Sequence, residues 1–263
     1  MAEITAKMVK ALRDETGQGM MDCKKALAET GGDVEAAVEL LRKKGMAAAE
    51  TKAARTAAEG LVAIRQANGS AAMVEVVCET DFCARNDEFR AMVGNVAALA
   101  VGAEGDGEIQ ATDEITAAVQ DCFNKIGENM RYVRGVKVSA PKVGSYTHHN
   151  GKVGVLVGID GEIDSQTLSD LCMHIAFANP MGLTKDDVPA DLVEKEKRIA
   201  TEQAIESGKP KEIAEKMVGG KINKFLAANS LLEQPFVRDE KKKVKDILGA
   251  AKITTFARFQ VGQ

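Results

Sequence analysis

LVAIRQANGSAAMVEVV, residues 61–77, sets two apolar, β-branched segments, Leu61–Ile64 and Met73–Val77, on either side of Asn68-Gly69. Asn and Gly tolerate the positive φ angles of a tight turn, so the stretch predicts a β-hairpin. Helical periodicity then runs through Phe89–Val101 and Ile115–Ile126, and Tyr132–Val138 alternates as a strand. The same order begins again at residue 145. Ser145–His148 and Val153–Ile159 flank Asn150-Gly151, Leu168–Ala178 reads as a helix, and Thr254–Val261 supplies the returning strand. Two hairpin-helix-strand units in one chain predict an α+β fold with a duplicated core.

Towards the N-terminus, Ile4, Met8, Val9 and Leu12 share one helical face until Thr16-Gly17-Gln18-Gly19 breaks it. A second helix begins near Met20 and runs to Gly31-Gly32. Asp33 is placed to cap a third, with Val34, Ala37, Val38 and Leu41 inward and Gly45 at its end. Three helices in about 45 residues bury little apolar area, so this bundle is expected to lean on a neighbour or to serve as a docking module. It resembles the ubiquitin-associated (UBA-like) type of three-helix domain. Ala47–Glu59 reads as a linker, part helix.

Between the second helix-bearing unit and its last strand lies an insertion. Val188, Leu192, Ile199 and Ile205 mark one helix, Gly208-Lys209-Pro210 turns the chain, and Ile213, Met217, Val218, Ile222 and Phe225 mark the return. Its apolar face is narrow and its other faces are charged, which predicts an antiparallel coiled-coil hairpin projecting as an arm. The chain thus divides into an N-terminal helical domain (1–55), a first core subdomain (56–140), a second (141–185 with 229–263) and the coiled-coil insertion (186–228).

Composition narrows the function classes. Among 263 residues there is no Trp and aromatics reach only 4%, which gives no stacking platform for single-stranded nucleic acid. Residues 1–179 carry 19 basic and 26 acidic groups and residues 180–263 carry 16 and 13, so neither part reads as a binder of nucleic acid. Lys241-Lys242-Lys243 with Lys245 sits among Asp239, Glu240 and Asp246 and reads as a solvated helix start. The five cysteines are odd in number and irregularly spaced, which predicts free thiols in a reducing compartment. The opening Met-Ala-Glu-Ile lacks the basic and apolar stretches of a leader, and no run of about 18 apolar residues follows. The expectation is a cytoplasmic protein with no membrane contact.

Enzymatic motifs are missing as well. His148, His149 and His174 have no nucleophile motif around them, and neither a Gly-x-x-x-x-Gly-Lys-Ser/Thr loop nor a Gly-x-Gly-x-x-Gly fingerprint occurs. His148 and His149 point to opposite faces if they lie on a strand, so no metal site and no cofactor are expected. One segment stands out, Glu79-Thr80-Asp81-Phe82-Cys83-Ala84-Arg85, because it puts a bulky apolar side chain beside an anion where a strand has just ended. Either it binds something, or Phe82 tucks into the local core and Asp81 caps the helix beginning near Asp87.

Thr80-Asp81-Phe82 is similar to the Thr-Asp-Phe signature of the translation elongation factor Ts family, and Thr16–Leu27 resembles that family's other signature. Ile126-Gly127-Glu128-Asn129, Gly144-Ser145-Tyr146, Gly151–Val157, Glu206-Ser207-Gly208-Lys209-Pro210 and Gln234-Pro235-Phe236-Val237 also fit, in family order, across essentially the whole chain. The resemblance implies a non-enzymatic guanine nucleotide exchange factor whose partner is elongation factor Tu, a protein GTPase. It implies that Thr80, Asp81, Phe82 and Cys83 enter the Tu GTPase domain. Phe82 then acts as a wedge between two helices, and Asp81 disturbs the surroundings of the nucleotide's magnesium ion. Further Tu contacts implied are Arg13, Met20, Met21, Ile126 and His148. From the residues alone, Met20 and Met21 equally fit a bundle core, Arg13 a solvated helix end, Ile126 a core position and His148 a surface strand. The sequence departs from the family at Cys83, where Val is common.

Two other classes compete. An adaptor would recruit partners through the bundle and the arm, with the Thr-Asp-Phe turn only packing; an enzyme would need a catalytic constellation that the sequence lacks. The arm could pair with itself, contact Tu or stay free, which leaves a homodimer or a 2:2 complex with Tu open.

Overall fold

The computed structural model describes residues 4–206, 208 and 210–263. Three helices come first: α1 (Ala6–Thr16), α2 (Met20–Glu29) and α3 (Val34–Lys52). The side chains of Thr5 and Asp33 cap α1 and α3 by accepting the amides of Met8 and Ala36. Val9, Leu12, Cys23, Ala26, Leu27, Ala37 and Leu41 fill the space between the three. The expected end of the third helix at Gly45 is corrected, since α3 runs on to Lys52. A glycine inside a helix costs about 1 kcal/mol relative to alanine. Here it admits a neighbour, because a Cβ on Gly45 would collide with the side chain of Asn124.

The hairpin follows as β1 (Glu59–Ala67) and β2 (Ser70–Cys78), paired from Glu59↔Cys78 to Ala67↔Ser70. Asn68 and Gly69 take φ of 50° and 76°, the tight turn that the dipeptide predicts. Next come α4 (Asp81–Arg85), α5 (Asp87–Val101), β3 (Gly107–Ile109), α6 (Asp113–Ile126) and β4 (Met130–Ser139). With five and three residues, α4 and β3 are too short to show a period, and the sequence reading passes over both. The second unit holds β5 (Lys142–Thr147), β6 (Val153–Asp160) and α7 (Ser165–Ala178), then α8 (Ala190–Glu206) and α9 (Lys211–Asn229), then β7 (Pro235–Phe236), β8 (Asp239–Lys243), α10 (Val244–Ile247) and β9 (Lys252–Gln260). Helices and antiparallel strands together make an α+β fold.

Strand order is β1-β2-β4-β3 in one sheet and β5-β6-β9 in another, with β7 and β8 paired separately. In both larger sheets the strand that returns after a helix lies beside the second hairpin strand, antiparallel to it. The alternation of side chains explains the layering. Ala72, Val74, Val76 and Cys78 of β2 pack with residues of α5 and α6, whereas Ala71 and Met73 meet Leu156 of β6 and Phe259 of β9. Val155, Val157 and Ile159 of β6 in turn pack with Leu171, Cys172 and Ile175 of α7. β2 is therefore covered on both faces, which is why its sequence reads as a nearly unbroken apolar run.

Glu75 interrupts that run on the face turned to the second sheet, and it is buried. Its carboxylate accepts from Arg134 Nε at 2.7 Å and from the amide of Gly262 at 3.1 Å, while the Arg134 guanidinium lies 4.4 Å from the Phe259 ring centroid. This ion pair, buried on the Glu75 side and half-buried at Arg134, ties the last residues of the chain to the first sheet.

Two local expectations are corrected. Lys241–Lys243 belong to strand β8, and the helix begins only at Val244. Lys243 and Lys245 both donate to Glu233, at 2.6 and 2.8 Å, and these hydrogen bonds, that from Lys243 foremost, hold the Glu233 carboxyl down at about 2. His148 and His149 lie beyond the end of β5, in a loop, with ring centroids 4.2 Å apart. That loop is longer than a two-residue turn because the carbonyl of Gly151 accepts the amide of Val62 at 2.7 Å, docking it on β1. In the expected turn Gly208-Lys209-Pro210, Lys209 lies outside the described residues, as do residues 1–3, on which the reading of the N-terminus rests.

Candidate functional site

The segment singled out in the sequence forms the corner where β2 hands over to α4. Thr80 is extended, with φ −125° and ψ 155°, and its Oγ1 accepts the amide of Cys83 at 3.1 Å, which starts the helix. The helix turns Cys83 and Ala84 into the first core and Phe82 outward. Phe82 is 80% exposed, so the reading that it tucks into the core is overturned. Asp81 does not cap the following helix either; Asn86 does, accepting the amide of Glu88 at 2.8 Å. Asp81 instead pairs with Arg85 one turn on, at 3.2 Å, with its side chain 46% exposed. An apolar ring and an anion are presented side by side on one short, capped helix.

The corner is held from below by the loop after α6. Thr80 donates its amide to Glu128 Oε2 at 3.1 Å and its hydroxyl to Glu128 Oε1 at 2.8 Å. Beside this, the amide of Asn129 donates to Glu79 Oε1 at 2.6 Å, and Asn129 Nδ2 donates to the carbonyl of Arg55 at 2.7 Å. Glu128 and Asn129 stand in the sequence reading only as part of a matching motif. Their role there is invisible because their partners are 48 and 50 residues away.

Beneath the corner, Cys78, Cys83 and Cys122 are buried and free. The hydrogen bond with Cys83 and then burial push the Cys78 thiol up, and burial raises Cys122 to about 12. Cys78 and Cys122 are packing groups at neutral pH. Cys83 thus faces inward, while Thr80 and Asp81 are half-buried and Phe82 is exposed.

The remaining candidates spread over a wider surface. Met20 and Met21 are 53% and 63% exposed at the start of α2 and take no part in the bundle core, so their alternative as core residues is overturned. Arg13 is exposed in the last turn of α1. Ile126 is half-buried against the first core at the end of α6, directly before the loop that holds Thr80. His148 is half-buried with Nδ1 2.9 Å from the Tyr146 hydroxyl. Asp81, Arg85, Arg90, His148 and His149 line one cleft of about 550 Å³ between α4 and the β5–β6 loop, so two of the candidates, far apart in sequence, share a surface. The third histidine, His174, lies elsewhere, buried on α7, with Nε2 2.9 Å from Gln234 Oε1 and Nδ1 accepting the amide of Val237 at 3.3 Å.

Among the described residues no group of three or more His, Cys, Asp or Glu side chains could hold a metal ion. Nor is any helix among them long and apolar enough to cross a membrane.

Residues 79–263, from the first residue of the corner onwards, match the family model described as Elongation factor TS. Full-length similarity extends the match over the N-terminal helices. The protein named Elongation factor Ts of Bartonella bacilliformis is 46% identical over 286 residues, covering 99% of this chain and 93% of that protein. Those of the same name from Hydrogenovibrio crunogenus and Vibrio vulnificus are 45% and 46% identical, each covering 99% of this chain and 92% of its own length.

Proposed function

The chain belongs to the elongation factor Ts family of nucleotide exchange factors for Tu in translation elongation, and from that premise we propose that it expels GDP by inserting Phe82 and Asp81 into the Tu GTPase domain. Phe82 parts two helices of that domain, and Asp81 disturbs the surroundings of the nucleotide's magnesium ion. Arg13, Met20 and Met21 add contacts from a UBA-like bundle, and Ile126 and His148 add contacts from the duplicated core. The insertion α8–α9 forms a coiled-coil arm apart from the lever. The single observation that carries this reading is the 80% exposure of Phe82 beside Asp81 on a helix clamped at its base.

Physically this is negative coupling: exchanger and nucleotide weaken each other's hold by the same factor. Each tenfold loss of nucleotide affinity requires about 1.4 kcal/mol of preferential binding to the distorted state. Burying one phenylalanine yields about 1.5–3 kcal/mol, so the lever alone accounts for roughly one to two decades, and the surrounding contacts supply the rest. Release of a fluorescent GDP analogue from Tu is the test. The wild-type chain accelerates release, and the Asp81→Ala/Phe82→Ala variant loses most of that acceleration. No acceleration by the wild type, or undiminished acceleration by the variant, overturns the reading.

A further inference from the structure

We propose that Glu128 is a positioning residue for nucleotide exchange, its carboxylate setting the direction in which Phe82 points. The inference rests on the reading of Asp81-Phe82 as the lever. With five residues, α4 has too few internal hydrogen bonds to hold its own direction. Cys83 and Ala84 anchor one side of it in the core, and the other anchor is Thr80.

The hydroxyl of Thr80 has one hydrogen. By giving it to Glu128 Oε1 at 2.8 Å, Thr80 is left with its lone pairs for the amide of Cys83 at 3.1 Å. Glu128 therefore orients the very group that caps α4, and it takes the Thr80 amide as well. Hydrogen bonds to a carboxylate are stronger than neutral ones, so this contact fixes the corner more firmly than a cap alone. Glu128 is itself fixed from both sides. The amide of Gly127 closes α6 on the carbonyl of Phe123 at 2.7 Å, and Asn129 is tied to Glu79 at 2.6 Å and to Arg55 at 2.7 Å. Without the carboxylate, the hydroxyl turns freely, the Thr80 amide loses its partner, and α4 pivots on Cys83 and Ala84.

The test is stopped-flow release of a fluorescent GDP analogue from Tu over a range of concentrations of the full chain. It compares wild type, Phe82→Ala, Glu128→Ala, Glu128→Gln and each Glu128 variant combined with Phe82→Ala. Removing a charged hydrogen-bond partner from the corner lowers the maximal rate about tenfold in Glu128→Ala and about threefold in Glu128→Gln, which keeps one acceptor oxygen. The half-saturating concentration moves less than about twofold, because the other contacts remain. In the Phe82→Ala background either change alters the maximal rate by less than about twofold, since no ring is left to aim.

A Glu128→Ala rate within twofold of wild type, or the same loss with and without Phe82, overturns the proposal. Wild-type rates in Phe82→Ala alone would sink the lever itself, a failure read from that variant without reference to Glu128. Circular dichroism melts establish that each variant is folded. If Glu128→Ala is not, the near-isosteric Glu128→Gln carries the comparison with the same two outcomes.

Discussion

A phenylalanine ring left in water forgoes about 1.5–3 kcal/mol of burial, and Phe82 does so immediately before two residues that are sunk in the core. The sequence makes the Thr-Asp-Phe corner conspicuous but leaves two directions for the ring. Only the turn of a five-residue helix decides between them, and that turn depends on Glu128, a residue marked in the sequence by a family motif alone and by no periodicity or spacing. His174 is legible in the same partial way, as a histidine without a motif. In the fold it is 2% exposed, with Nδ1 accepting from Val237 and Nε2 donating to Gln234, so the neutral ring is the form that both partners fit. Burial lowers its pKa against the opposing pull of Gln234, while Asp170, one turn earlier on α7, pairs with Arg238 at 3.0 Å. A base depressed in the folded state leaves stability complete above the unfolded value of 6.5 and lost as pH falls from there through the folded value. Denaturant melts between pH 7.5 and about 5 should show the wild type losing up to about 1.4 kcal/mol per pH unit relative to His174→Gln. Parallel curves for the two proteins would contradict the assignment of a buried neutral ring.

At the scale of elements, what was legible followed from local chemistry. Asn68-Gly69 gave the hairpin, and the periodic stretches gave α5, α6, β4 and α7 because one face of each is buried. The rest is set at a distance. α3 passes Gly45 because of Asn124 on another helix, and β8 with α10 is arranged around Glu233. The helix pair α8 and α9 buries only Ala200 and Ala204 among its described residues, and the apolar face read from the sequence is corrected: Val188 precedes α8, and Ile205 and Ile213 are exposed. Its two ends are pinned together: the amide of Met181 donates to the carbonyl of Asn229 at 2.9 Å, and that of Leu231 to the carbonyl of Gly182 at 2.9 Å. Closing such a gap with a short linker adds little loop entropy. Replacing residues 188–227 by a Gly-Ser linker should therefore leave a folded protein that still accelerates GDP release, because the corner lies elsewhere. Complete loss of exchange in a folded deletion variant would show that the arm belongs to the lever.

Across the whole molecule, the parts meet through contacts that no window of sequence displays. The sheets join through Val62, Met73, Val138, Leu156 and Phe259, and Glu75 with Arg134 ties in the last residues. The helical bundle rests on α6, whose following loop grips Thr80, so bundle, loop and lever are linked in one sequence of contacts. The docking of the Gly151 loop on β1 brings His148 to the cleft that Asp81 also lines. Resemblance to a family implies that Asp81 and His148 contact one partner; periodicity and spacing do not bring them together, since their placement is set by residues tens of positions away. The most direct measurement of the central claim is a crystal structure of this chain bound to nucleotide-free Tu. The account predicts the Phe82 ring enclosed between helices of the GTPase domain, Asp81 beside the emptied magnesium site and both Thr80–Glu128 hydrogen bonds intact. A ring left in solvent, or folded back onto its own core, would contradict it.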